Sequence, residues 1–324
     1  MEVFKHFRQM NPRRSAALAI GSFDGLHRGH QLLLERTRER ARRHDLQAGV
    51  ITFRPHPARV LAPRYAPALL MPGPRRLRAL SRLGFDWVLE QRFDEQFAAL
   101  PAERFVVEVL CRACRASRVV VGDDFSFGRD RQGNASLLVE LGRRHGFAVE
   151  VIERLTVSGM VVSSTRIRSF LLQGRVAGAA LLLGRPYTLE GRVVAGEQRG
   201  RKLGFPTLNL DTPAEVVPAS GVYACYYWPA GRQHGLAAVT NIGTRPTFGG
   251  RETRVEIHLP GQQLPDLRGS SGRLGFLERL REEQRFARAD LLVRQIRLDV
   301  ENALQVTAAH TRWQDLSPLE GFQT

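Results

Sequence analysis

The sequence predicts an α/β chain in two parts: a parallel-sheet domain, then a small, mostly antiparallel β-barrel with flanking helices. Three observations predict it. Short apolar runs alternate with helical stretches as far as Ile152, the rhythm of a sheet covered on both faces. The texture changes at Gly184-Arg185-Pro186. Beyond that point, strand candidates are divided by Gly, Pro and Asn, with no long helix between them. The expected domains are 1–184 and 185–324.

Ala16 to Ile20 reads as a buried strand, followed by a turn and a helix from about Gly29 to Arg43. Gln47–Phe53, Phe85–Leu89, Arg118–Val121 and Ala148–Ile152 are the next strands. Helices are expected at Leu77–Leu83, Pro101–Cys114 and Ser136–His145, the second because Val106, Val109 and Leu110 recur on one side. Ser163–Gln173 and Val176–Leu182 read as two further helices. Barrel strands are expected at Leu189–Val194, Val222–Trp228, Leu236–Val239 and Arg254–Leu259. Two closing helices are expected, at about Leu274–Glu283 and Ala289–Leu298.

At 324 residues and 43% hydrophobic, the chain can bury about two cores. The longest apolar-rich run, Val176–Leu183, falls far short of the roughly 20 residues that span a bilayer, so no membrane partner is expected. Met1–Met10 does not read as a signal peptide, and the expected location is the cytoplasm. The net charge of +16 is carried almost wholly by arginine, Lys5 and Lys202 being the lysines. Such a chain attracts phosphorylated partners. The arginines are scattered, often beside Glu, with no aromatic-interleaved stripe, so no nucleic-acid partner is expected. Cys111 and Cys114 lack a second pair or a His at zinc spacing and read as reduced thiols; Cys225 reads as core. Both a monomer and a weak homo-oligomer stay open.

The most informative stretch is Gly21-Ser22-Phe23-Asp24-Gly25-Leu26-His27-Arg28-Gly29-His30, directly after a strand and opening a helix. Gly21 and Gly25 permit tight turns, and Gly29 lets a phosphate approach free N–H groups at the helix start. His27 and His30, three apart, reach the same side of the first turn and suit charge stabilisation at a phosphate. The pattern is not a P-loop; surface histidines or metal ligands are the alternatives. In Ser163-Ser164-Thr165-Arg166-Ile167-Arg168, the hydroxyls can cap a helix and bind phosphate oxygens. Arg168, one turn on, can clamp a leaving pyrophosphate. Asp123 and Asp124 could meet Mg²⁺ or a ribose hydroxyl, or form a plain acidic turn. Further on, the glycines of Gly191–Gly204, among them Gly196, Gly200 and Gly204, can wrap a nucleotide phosphate beside Lys202.

These segments carry a resemblance. The His-x-Gly-His phrase with Phe23-Asp24-Gly25 before it resembles the flavin-adenylating branch of the nucleotidyltransferases. Thr52-Phe53-Arg54-Pro55-His56-Pro57, Gly122–Gly128 and the Ser163–Arg168 motif follow in that family's order, with Ser22 a small departure. Gly191–Leu210, Asn241–Phe248 and Val255-Glu256-Ile257-His258 resemble riboflavin kinase. Over about residues 14–305 the chain is similar to the bacterial bifunctional riboflavin kinase/FMN adenylyltransferase family.

The resemblance implies a Rossmann-like nucleotidyltransferase domain and a riboflavin-kinase barrel. It implies riboflavin, FMN and ATP as substrates, Mg²⁺ as cofactor, and FMN and FAD as intermediate and product. It assigns His27, His30, Arg168 and Glu256 to catalysis, with Glu256 taking the proton of the ribityl hydroxyl. Gly21, Phe23, Gly29, Asp123, Ser164, Thr165, Gly196, Gly200, Lys202, Gly204 and Thr207 are assigned to nucleotide. Asp24, His56, Pro57, Asp124 and Arg285 are assigned to flavin, and Thr207 and Asn209 to the metal. Residues 259–269 depart from the family, so a chain that only adenylates FMN, with weak or absent kinase activity, is the alternative expectation.

Overall fold

In a computed structural model of the chain, the apolar runs of the first half pair as one parallel sheet. The structure describes all residues except 196–202, 248–249, 263–265 and 316–324, and the backbone alone at 245–247 and 250–252. The described residues form two units, one ending at Val162 and one beginning at Ser163.

The sheet of the first unit holds β1 (Glu2–Phe4), β2 (Ala16–Ile20), β3 (Gln47–Arg54), β4 (Trp87–Arg92), β5 (Ala116–Gly122) and β6 (Ala148–Ile152). Their order is β1-β4-β3-β2-β5-β6, every pair parallel. The sequence predicts five of these six strands. β1 escapes it because three residues in a polar segment give no alternation to detect.

Both faces are covered, which is why β2 is buried at every position. Ala16, Leu18 and Ile20 pack with Val106, Val109, Leu110, Leu138 and Leu141. α1 (Arg28–Arg43) lays Leu33, Leu34 and Ala41 against β2, β3 and β5. Each buried leucine contributes roughly 1.5–3 kcal/mol. Trp87 lies across Gly49, where a Cβ would come within 2.3 Å of its ring. The predicted Pro101–Cys114 helix forms, but Phe105–Ala113 is wound as a π-helix, with Cys114 N–H donating to Val109 O.

The strand order reverses between β2 and β5. The chain builds β3 and β4 on one side of β2, then places β5 and β6 on the other. Open α/β sheets bind ligands at the carboxyl ends of strands at such a reversal. The loop Gly21–His27 leaves β2 there, and Asp123-Asp124 leaves β5 there.

The second unit opens with two helices, Ser164–Leu172 and Val176–Leu183. A closed antiparallel barrel follows: β7 (Tyr187–Val194), β8 (Thr207–Asp211), β9 (Gly221–Pro229), β10 (Leu236–Thr247), β11 (Gly250–His258) and β12 (Ser271–Arg281), in the order β7-β8-β11-β10-β9-β12. The expected helix at Leu274–Glu283 is corrected: this segment is β12. Its Leu, Glu and Arg favour a helix, but pairing with both β7 and β9 closes the barrel and overrides that preference. The last expected helix is present and runs further, over Ala289–Ala309.

Side chains on the barrel strands alternate between interior and exterior. Tyr223, Cys225, Ile257 and Phe276 are fully buried, with the Tyr223 and Phe276 rings edge-to-face at 5.4 Å. Val222, Ala224 and Val239, on the opposite face, are covered by Val300, Ala303 and Val306 of the long helix. Arg281 ties that helix down through a bidentate pair with buried Asp299, and Gln295 donates to the same carboxylate.

Candidate functional site

Two separate places collect the residues singled out by the sequence. In the first unit, His27 is the N-cap of α1, and its Nδ1 accepts the His30 N–H at 3.2 Å. An accepting Nδ1 leaves the neutral ring its proton on Nε2. The two imidazoles stack with centroids 3.6 Å apart, and Phe23 meets His30 edge-on at 5.3 Å. The spacing of three therefore brings both rings to one point, as predicted. Gly29 keeps that point open: a Cβ there would touch the His27 ring at 3.4 Å.

His30 retains some surface as a residue, yet its Nδ1 is enclosed and has no hydrogen-bond partner among the described residues. Burial holds its pKa well below the ordinary 6.5, and the neighbouring His27 and Arg76 push the same way. Both rings are thus poised as neutral donors at a helix start, where backbone N–H groups also face an anion.

The loop carrying them is held from below. Phe23 and Leu26 are fully buried at φ of 50° and 44°, a region that bulky residues avoid. The Asp24 carboxylate accepts from Leu70 N (3.1 Å) and Met71 N (3.0 Å) while itself only 1% exposed. Asp24 therefore anchors residues 70 and 71 to the loop, a structural part that the sequence does not predict. Gly21 N donates to Ile51 O, fixing the strand end. Sequence reasoning also missed Arg76 and Glu90, a buried ion pair 3.5 Å apart beneath the loop; Lys5 reaches the same carboxylate at 2.6 Å. Nothing short of the fold could signal them, because their partners lie far away in sequence.

His56 caps the short helix Pro57–Leu61, its Nδ1 accepting Ala58 N at 3.2 Å, with Pro57 at the first helical position. Asp123 and Asp124 are both exposed at the end of β5; Asp123 pairs with Arg154 at 3.1 Å. In the second unit, Ser163 caps the helix that carries Ser164, Thr165 and Arg168, accepting Arg166 N at 3.3 Å.

The barrel site follows from register. Asn209 on β8 lies opposite Glu256 on β11, and Glu256 lies opposite Asn241 on β10. Thr207 lies opposite His258 on the next same-face rung. Thr207, Asn209, Glu256 and Asn241 therefore share the outer barrel face, each only partly buried. His258 steadies the start of β8, its Nδ1 2.9 Å from Pro206 O and its ring edge-on to Phe205 at 5.6 Å. The Glu283 carboxylate covers Gly243, where a Cβ would meet Oε1 at 2.6 Å, close to the Asn241 amide. Glu283 was not predicted; it comes from the segment after β12. Arg285 is exposed. Gly204 is exposed at φ 86°. Gly196, Gly200 and Lys202 lie outside the described residues.

Thr207 and Asn209 offer neutral oxygens beside one carboxylate, a donor set that fits a hard cation already carrying phosphate oxygens. Among the described residues, no group of three or more His, Cys, Asp or Glu side chains could hold a metal alone. All three cysteines are free thiols; Cys114 and Cys225 are buried, and burial pushes both well up.

Comparison with known proteins also finds two parts in the chain. The family described as FAD synthetase matches residues 9–166, and the riboflavin kinase family matches 183–307, running through the divergent 259–269. The bifunctional riboflavin kinase/FMN adenylyltransferase of Escherichia coli strain K12 is 40% identical, covering 91% of this chain and 93% of its own. The Pseudomonas fluorescens protein of the same name is 36% identical over 96% of this chain and 100% of its own. A solved structure from Streptococcus pneumoniae, described as a macrolide-efflux protein, is 31% identical with a TM-score of 0.86, covering 93% of this chain and 98% of that one. Among the described residues, no helix here is long and apolar enough to cross a membrane. The chain belongs to the bifunctional riboflavin kinase/FMN adenylyltransferase family.

Proposed function

We propose that this protein phosphorylates riboflavin to FMN on its barrel and adenylates FMN to FAD with its parallel-sheet domain, releasing pyrophosphate. The observation that carries the reading is a double one of the same kind. Neutral imidazoles converge at a helix start in the first unit, and a carboxylate stands beside two hydroxyl or amide oxygens in the second.

In the kinase reaction, Glu256 takes the proton of the ribityl 5′-hydroxyl as that oxygen attacks the γ-phosphorus of ATP. Thr207 and Asn209, on the same face, hold the phosphate end. Mg²⁺ fits their donor set and would supply charge neutralisation there. In the adenylyl transfer, the FMN phosphate is already an anion and needs no strong base. The difficulty is bringing two anions together. His27 Nε2–H, His30 and the α1 N–H groups meet the charge that develops on the α-phosphate. Arg168, Ser164 and Thr165 are assigned to the same reaction by their motif, which sets the functional domains at 1–184 and 185–324. Asp123 and His56 are assigned to nucleotide and flavin on the same ground. Both reactions are placed in the cytoplasm, where ATP is available.

Chromatography of the products from riboflavin or FMN with ATP tests this. Wild type should yield FAD from either flavin. His30→Ala should stop at FMN, and Glu256→Gln should still convert supplied FMN to FAD. A protein that yields neither product overturns the reading.

A further inference from the structure

Beneath the loop of the first unit, Arg76 makes an unusual set of contacts for a side chain on a helix. Arg76 lies on Gly73–Arg82 and is 3% exposed. Its Nη1 donates to Ser22 O at 2.9 Å, and its Nη2 donates to Phe53 O at 3.1 Å. Ser22 begins the strained loop just after β2, and Phe53 is near the end of the neighbouring β3. Thr52 Oγ1 donates to the same Ser22 carbonyl at 3.3 Å. Glu90, fully buried on β4, balances the charge at 3.5 Å. One guanidinium therefore fastens together the carboxyl ends of two adjacent strands at the edge of the reversal.

We propose that Arg76 is a positioning residue for adenylyl transfer: it forks across the Ser22 and Phe53 carbonyls and so holds the Phe23–Leu26 turn, and with it the His27–His30 pair, in the geometry that meets phosphate. The proposal rests on the adenylyltransferase reading given above. The physical need is clear. Phe23 and Leu26 adopt positive φ, which relaxes unless the surroundings fix it. Asp24 fixes the middle of the turn through Leu70 and Met71; Arg76 fixes its entrance. The planar fork reaches the two carbonyls with two separate nitrogens, a fixed geometry that the single ammonium nitrogen of lysine does not reproduce. The charge of Arg76 also reaches His30, which it helps keep neutral.

The test uses the full-length protein, whose barrel reaction reports that the second unit is intact, while hydrogen exchange of the β2 and β3 amides reports the folded fraction of the first unit. FAD formation from FMN and ATP, FMN formation from riboflavin, and the NMR titration of the His30 ring are measured in wild type, Arg76→Met and Arg76→Lys. The kcat for FAD formation should fall by about 10- to 100-fold in both variants, the scale of a catalytic group displaced by about an ångström. The kinase rate should stay at the wild-type value. His30 should titrate higher in Arg76→Met and remain low in Arg76→Lys, separating charge from fork geometry. Arg76→Met removes the buried counter-charge of Glu90 and leaves Lys5 at 2.6 Å and Arg54 at 3.9 Å; should that variant fail to fold, Arg76→Met with Glu90→Gln carries the same measurement. Wild-type kcat in Arg76→Lys, or a loss that matches only a smaller folded fraction, overturns the proposal. A wild-type protein that makes no FAD overturns the adenylyltransferase reading instead.

Discussion

On the proposed reading, the two candidate sites meet the same anion by opposite means. In the parallel-sheet unit the site is made at a chain reversal: a strand ends, a strained turn follows, and a helix begins with His27 as its cap. The groups proposed for recognition there are backbone N–H groups and rings fixed by the backbone. In the barrel, the site is a patch on strands, where register sets Asn209 against Glu256 and Glu256 against Asn241. Among the described residues, the groups proposed for recognition there are side chains on strands, and the helix Ala289–Ala309 covers the neighbouring part of the same face. A turn site depends on conformation and fails when the backbone is disturbed. A strand site depends on individual functional groups and fails when one is removed.

That contrast sets the order of expected effects. The largest belongs to the barrel. Glu256→Gln keeps size and strand pairing but removes the proposed base, so kcat for FMN formation should fall by about 10²- to 10⁴-fold. FAD formation from supplied FMN should be untouched. A kinase that retains its rate in Glu256→Gln would make the rung of three side chains a structural coincidence. His30→Ala comes next. Losing one preorganised donor should lower kcat for FAD formation by about 10²- to 10³-fold. Kinase assays on the same sample should read as wild type.

A backbone change sharpens the comparison further. Gly25 sits at φ 80°, and a Cβ there would come within 2.8 Å of the Leu70 side chain. Gly25→Ala should destabilise the first unit by about 1–3 kcal/mol and lower FAD formation while sparing the kinase. Hydrogen exchange of the β2 and β3 amides reads the stability. Unchanged protection in those strands would show that the turn tolerates the methyl group and is not conformationally tight.

How much of this was legible in the sequence divides along the same line. The turn site was readable because its parts are contiguous: glycines, two histidines at a spacing of three, and a strand-to-helix junction all lie within Gly21–His30. The sheet was readable for the same local reason, through apolar runs separated by helices. The barrel was read less well. β12 looked helical because its Leu, Glu and Arg carry a helix preference, and only pairing with β7 and β9 reveals a strand. β8 was noticed as a motif without being recognised as a strand, yet its strand register is what aligns Thr207 and Asn209 with Glu256. The motif assigns Asp24 to flavin, and its local pattern does not show that its carboxylate is engaged by two backbone amides from residues 70 and 71. Arg76, Glu90 and Glu283 carry no local pattern at all. Contacts between residues far apart in sequence were the part that local reading could not supply.

The smallest effect concerns protonation, and it separates the two sites without altering either. Burial lowers the His30 pKa first, and the neighbouring His27 and Arg76 lower it further. The unfolded chain therefore binds a proton there more readily than the folded one does. Stability from this group is complete above the ordinary value of 6.5 and is lost as pH falls from there toward the folded-state value. One proton limits the slope to about 1.4 kcal/mol per pH unit. Urea midpoints for the first unit at about pH 7.5 and about pH 5.5 should thus differ more in wild type than in His30→Asn, which has nothing to protonate there. A bound triphosphate favours the protonated ring, so ATP should shrink the wild-type difference. Equal differences in the two proteins would mean that His30 is solvated in the folded state, and the stacked, neutral pair would no longer describe how the turn meets phosphate.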